Sequence, residues 1–414
     1  MDLLNSILIV FNSVNPILLL ATFVGLAIFY ITTLKSIVSS IFDPLFYAIF
    51  GSFFASWTAI ALYLSDLISL QNIFWILIVT ILFYFGVIIA NKFCSHQNKN
   101  NNVYVPRIAI ILVFIFFAAS QITVYSITGI PLFMESRLEQ FVSGGGIGIF
   151  GRLVDILGSV LLFLTFLRYK NNDKDILFYT SIISVLVTLI LSGSKGGFIL
   201  IFWAAHLSGF LSMQKSLSKS KLLLTMVSIG LIPLLVLMIQ AKDLSSSGLI
   251  NALTSFGFRL LAYGDVYSYA YVFDTYKSVQ TIDYMALIYP LLQPIRLISP
   301  DQLPIPGFKL MAAVYDGWDP LTGPNPRLPL YLDFFYGRSF FPFAFLFGLI
   351  LGIINARFHA YKGGWFGLAL LFLLLIAACK IETDLIAFVV SLFNVILAFC
   401  VLLIIGIISK RKTT

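Results

Sequence analysis

Long apolar runs separated by short polar stretches set the plan of this chain. Runs of a length suited to crossing a membrane, which takes about 20 apolar residues, fall at about residues 14–34, 44–64, 72–90, 108–128, 152–167, 176–192, 197–212, 222–240, 338–356, 365–380 and 385–408. They predict about 11 transmembrane helices, because a helix satisfies its own backbone hydrogen bonds where no water can. No repeat of about 20–50 residues links them, so residues 1–414 read as a single integral membrane domain of all-α, polytopic class. The connections are short except between residues 241 and 337. There aromatic and aliphatic residues continue throughout, and the stretches from Phe256 to Phe273 and from Met285 to Ile298 look helical or interfacial. A partly helical cap lying on the membrane is expected.

Composition narrows the class. Of 414 residues, 60% are hydrophobic and 11% charged, against about 25% charged in an ordinary soluble domain. A water-soluble globule is excluded, and 41 Phe with 19 Tyr exclude intrinsic disorder. The net charge of +8 is scattered in small clusters, so no basic face for nucleic acid is expected. The eleven-run plan sends alternate connections to opposite sides. One side collects 15 of the 26 Lys and Arg with only Asp43, Asp173 and Asp175, a net +12, leaving −4 for the other side. By the positive-inside rule the C-terminus is cytoplasmic and the N-terminus external, and the basicity is matched to anionic membrane lipids. Cys94, Cys379 and Cys400 show no disulfide or zinc spacing. The start, Met-Asp-Leu-Leu-Asn-Ser, lacks a basic n-region, so the first run is expected to remain as a span.

Scarcity of charge makes the external charges conspicuous. Ser192-Gly193-Ser194-Lys195-Gly196-Gly197 breaks two apolar runs with one cation. It is either an amide-lined cradle for a phosphate or a tight hairpin whose lysine snorkels. In Phe256-Gly257-Phe258-Arg259-Leu260-Leu261-Ala262-Tyr263-Gly264-Asp265, a helix would put Arg259 and Tyr263 on one face. An Arg in so apolar a stretch needs a partner, an anionic ligand or an internal Asp. The Pro-rich run from Asp316 to Asp333 carries Trp318, Arg327 and Tyr331 to the mouth of the next span, or else is only a rigid connector. His96 and His359 fall on the cytoplasmic side and His206 within a run, so an external His-dependent triad or metal site is not expected.

With Gly129-Ile130-Pro131-Leu132-Phe133 and with Gly323-Pro324-Asn325-Pro326-Arg327 before Tyr331, Phe334, Phe335 and Gly337, these segments resemble, in order and spacing, the Wzy-type O-antigen polymerases. The resemblance covers about residues 129–340. It departs at Lys195, where the family often has Arg, a change that gives up bidentate phosphate binding. The resemblance implies a multi-pass protein of the bacterial inner membrane and an enzyme needing no cofactor or metal. It would polymerise undecaprenyl-pyrophosphate-linked oligosaccharide units on the periplasmic side, beside a chain-length-determining co-polymerase. Lys195, Arg259 and Arg327 would stabilise the departing pyrophosphate, Asp265 would accept or orient the proton of the attacking hydroxyl, and Tyr263, Trp318 and Tyr331 would face sugar rings.

Two other readings compete. An O-antigen ligase would use the same donor, but such ligases resemble one another in an external His that this chain does not supply. A flippase or transporter would put polar groups at mid-membrane, whereas the span centres here are nearly free of charge.

Overall fold

In a computed structural model, apolar runs become helices that end where capping residues or glycines stop them. The structure describes residues 14–94, 103–134, 148–170, 174–193, 197–213, 262–273, 275–293, 297–298, 305–315 and 323–411. Its longer helices are α1 (Pro16–Ile37), α2 (Pro44–Leu64), α3 (Leu70–Cys94), α4 (Arg107–Thr128), α5 (Gly148–Tyr169), α6 (Ile176–Leu191), α7 (Ile199–Leu207), α8 (Pro306–Val314), α9 (Leu328–Tyr336), α10 (Pro342–Ala360), α11 (Trp365–Ala378) and α12 (Leu385–Arg411). The described residues contain no strand.

Seven helical segments among the described residues are long and apolar enough to cross a membrane: Pro16–Thr33, Pro44–Leu64, Leu70–Cys94, Arg107–Phe133, Gly148–Tyr169, Arg338–Ala360 and Leu385–Ser409. The chain is thus a multi-pass, all-helical membrane protein. α6 and α11 are apolar but shorter. The run expected at 197–212 is interrupted after α7 at Gly209, whose φ of +79° ends the helix. The run at 222–240 lies outside the described residues.

The chain divides into two compact units, with the division passing through α11 and α12. The first comprises Met1–Gln97, Phe256–Ala360 and Leu375–Phe393, the second Asn98–Ser255, Tyr361–Leu374 and Asn394–Thr414.

In the first unit, α3 and α10 meet backbone to backbone. A Cβ on Gly348 would stand 1.9 Å from the Phe83 carbonyl, and one on Gly86 would stand 2.3 Å from that of Phe345. Small residues of this kind let apolar helices approach closely enough for packing forces to hold them without a hydrophobic drive. Asn355 donates to Asn91 across the same pair at 3.1 Å. α2 begins on Asp43, whose carboxylate accepts from Leu45 N at 3.0 Å, with Pro44 preset for the first turn. α1 packs on α2 through Phe23 and Phe53 and through a 2.9 Å hydrogen bond between Tyr30 and Ser56.

In the second unit, α5 is buried continuously from Ile156 to Leu167, apart from Ser159. α4 lies along it, and Phe163 stacks on Phe372 with ring centroids 4.3 Å apart. Polar anchoring sits at helix ends. Asp175 caps α6 through Phe178 N and accepts from the Tyr169 hydroxyl, with Arg107 3.5 Å away.

Candidate functional site

The site begins with a glycine. Ala262–Gly264 forms a single tight turn against α2, where a Cβ on Gly264 would meet Thr58 at 2.7 Å and the Ala55 carbonyl at 3.0 Å. That contact holds Asp265, Val266 and Tyr267 against the first unit, and Val266 and Tyr267 are fully buried. From the other direction, Asn325-Pro326 leads to Arg327, which adopts φ +48°, a backbone conformation that side chains other than glycine's rarely take. α9 then starts, with Pro329 in its first turn.

Arg327 is the largest fully buried side chain among the described residues, 1% exposed, and its partner Glu382, in the turn between α11 and α12, is 2% exposed. One terminal nitrogen, Nη2, donates to Glu382 Oε2 and, at 3.0 Å, to Ser52 Oγ. Ser52 also donates to Glu382, and its oxygen lies 2.7 Å from the Tyr84 hydroxyl. Leu328 N donates to the Glu382 carbonyl at 2.8 Å, so backbone and side chain both tie the start of α9 to this turn. Nε and Nη1 of Arg327 have no hydrogen-bond partner within the described residues. The phenol of Tyr267 stands next to the guanidinium, close enough to act as a hydrogen-bond partner, and the carboxyl of Asp265 lies within its electrostatic reach.

Burial pushes the Asp265 carboxyl up to about 7, against the opposing effects of the Val266 amide and the Arg327 charge. Burial likewise raises the Tyr267 phenol, although the Arg327 charge pulls it down. The site therefore pairs a fixed cation with a carboxyl that loses its proton near neutrality.

The far end of α9 is braced separately. Arg338 donates to Asp333 at 3.1 Å and to Asn72 at 2.6 Å, and its guanidinium lies over the Trp75 ring. Trp75 donates to the Pro329 carbonyl at 2.9 Å, and Tyr271 donates to Asp333 at 3.3 Å.

Of the expected site residues, Asp265 and Arg327 lie within electrostatic reach of each other. Tyr263 stands beside Asp265 with its ring against Gly51 and remains partly exposed. Tyr331 is 0% exposed and packs on Phe335 at 4.9 Å, so it offers no open face to a sugar and instead fills the core behind Arg327. Lys195, Arg259 and Trp318 lie outside the described residues. Glu382, Ser52, Tyr84 and Tyr267 were not anticipated. A signal for Glu382 was present, because it is one of only three glutamates in the chain and sits in Lys380-Ile381-Glu382-Thr383-Asp384 between two apolar runs.

Charge is scarce in the spans themselves, but charged residues from the connections insert beside them. Ser52 lies about 18 Å along α2 from Leu64 and about 12 Å from Pro44, at the usual rise per residue. The Arg327–Glu382 pair therefore abuts the middle of an apolar helix. No metal-holding group of three or more His, Cys, Asp or Glu is found among the described residues.

No protein-family model, no curated protein and no solved structure matches the chain.

Proposed function

We propose that this protein is a membrane glycosyltransferase that polymerises undecaprenyl-pyrophosphate-linked oligosaccharide repeat units into O-antigen or a related surface polysaccharide. The observation that carries the reading is a buried arginine, two of whose guanidinium nitrogens make no hydrogen bond of good geometry among the described residues, within electrostatic reach of a carboxyl that burial pushes up to about 7. In the reaction, a hydroxyl of the incoming lipid-linked unit attacks the anomeric carbon of the growing chain. The new glycosidic bond forms as the bond to the lipid pyrophosphate breaks, and the hydroxyl proton passes to Asp265. A base whose pKa lies near the working pH suits that transfer, and a preorganised cation in a dry site suits the charge that develops on the pyrophosphate. Lys195 and Arg259 are proposed to add positive charge, and Trp318 and Tyr263 to contact sugars.

The accompanying topology has about 11 spans in the bacterial inner membrane, a periplasmic cap over residues 241–337, an external N-terminus and a cytoplasmic C-terminus. A chain-length-determining co-polymerase is the proposed partner. The test is the glycan profile of a deletion strain complemented with wild-type protein or with Asp265→Asn. Wild type should restore a ladder of long polymer, and Asp265→Asn, at equal abundance in the membrane, should leave one repeat unit on the acceptor. An unchanged ladder would remove Asp265 from the mechanism, and no ladder with wild type would remove the activity.

The transporter reading is favoured by one observation, the position of Arg327 and Glu382 against the middle of α2. Purified protein in vesicles separates the two. Extension of a lipid-linked oligosaccharide without an ion gradient supports the enzyme, and transbilayer movement without extension supports transport.

A further inference from the structure

We infer that Glu382 is a positioning residue that holds the Arg327 guanidinium by one terminal nitrogen and so presents the other two nitrogens to an incoming anion. This rests on the glycosyltransferase reading for the identity of that anion, but its geometry stands on the first unit alone. A carboxylate that served only to neutralise a buried arginine would do best bidentate, taking two parallel N–H bonds. Here the bonds to Glu382 and Ser52 converge on Nη2, while Nε and Nη1 make no hydrogen bond of good geometry among the described residues and the Tyr267 phenol stands next to the guanidinium. Leaving two charged donors unpaired is costly in a buried place.

Three features hold this costly arrangement. Ser52, itself bonded to Glu382 and close to Tyr84, fixes the carboxylate against α2 and α3. The bond from Leu328 N to the Glu382 carbonyl fixes the backbone next to Arg327. The φ of +48° at Arg327 aims its side chain into the bundle at the start of α9, and such backbone states persist only when their surroundings over-determine them. The guanidinium is thus held through Nη2, with the phenol of Tyr267 and the carboxyl of Asp265 within electrostatic reach of it.

Two variants and two readouts test the assignment. Glu382→Gln keeps a hydrogen-bonding side chain but loses the charge that orients the guanidinium. The exchange Arg327→Glu with Glu382→Arg keeps an ion pair but makes the guanidinium project from the opposite wall. The readouts are the polymer ladder at matched membrane abundance and the rise in melting temperature of purified protein on adding inorganic pyrophosphate. Glu382→Gln should lower polymer yield at least tenfold and abolish the pyrophosphate-induced rise. The exchange should recover melting behaviour near that of wild type and recover neither polymer nor the pyrophosphate response. An exchange variant that regains both would make the pair a structural brace and overturn the inference, as would a Glu382→Gln protein indistinguishable from wild type. Failure of both variants to accumulate would also identify a brace. If wild type makes no polymer yet responds to pyrophosphate in a Glu382-dependent way, the glycosyltransferase reading fails and the positioning role survives. If wild type shows neither, both fall.

Discussion

The two units solve the same packing problem with opposite interiors. Each fully buried charged side chain among the described residues, namely Asp43, Arg327, Asp333 and Glu382, belongs to the first unit. The second buries Ser120, Gln121, Thr165, Ser181, Ser208 and Ser409, all uncharged, and keeps its ionic contacts at helix ends. Apolar packing alone therefore suffices for a bundle of this composition. Charge in the first unit is not what the fold required, since buried ion pairs are poor stabilisers compared with well-packed apolar groups. Among the described residues, the difference places the buried charges in the first unit alone.

Removing one cation from each unit should widen that contrast most. Arg327→Ala leaves Glu382 buried and unpaired, at a cost of about 3–5 kcal/mol. Arg107→Ala loses a contact with Asp175 that is largely solvated, worth at most about 1 kcal/mol. Thermal unfolding in detergent should show a large drop for the first and almost none for the second, and similar losses would erase the distinction.

Helix seams offer the next comparison. Gly348→Leu drives a side chain into the Phe83 carbonyl, so α3 and α10 must separate, at about 1–3 kcal/mol or more. In the second unit, Gly158→Ala places its Cβ 3.2 Å from the edge of the Phe117 ring, which can turn aside, and alanine gains helix propensity. Melting temperature should fall for Gly348→Leu and stay nearly constant for Gly158→Ala.

A third comparison separates the units by pH. Folded Asp265 keeps its proton up to about 7, whereas the unfolded chain releases it near 3.8. Between those values the folded state binds more protons, so this group's contribution to stability falls as pH rises. At Asp175, burial works against the charge, but hydrogen bonds from Tyr169 and Phe178 N and the charge of Arg107 lower its pKa. Its contribution is present above the unfolded value and is lost on acidification. Unfolding from pH 3 to 8 should show the neutral-range slope shrinking in Asp265→Asn, and Asp175→Asn should weaken only the loss toward acid.

Helices were legible because each span must satisfy its own backbone, which leaves a continuous apolar run whose ends can be read to within a few residues. α2 is found at the expected 44–64, and α4 at Arg107–Thr128 against 108–128. Asp265 and Arg327 stood out because charge is scarce in this chain. Their partners did not, because Ser52 lies 275 residues from Arg327 and Glu382 lies 55 away. No local pattern encodes such pairings. Tyr331 shows the complementary failure, since a tyrosine next to a Pro-rich run reads the same whether its ring faces a ligand or the core.

The backbone at Arg327 has a consequence for mutational drift. Glycine adopts a φ of +48° freely, and arginine codons lie one nucleotide from glycine codons. A single-nucleotide escape from local strain at this position, Arg327→Gly, is therefore also a change that strands Glu382. A chain released from the need for the side chain could slide toward glycine, and one that keeps arginine there retains the strained backbone.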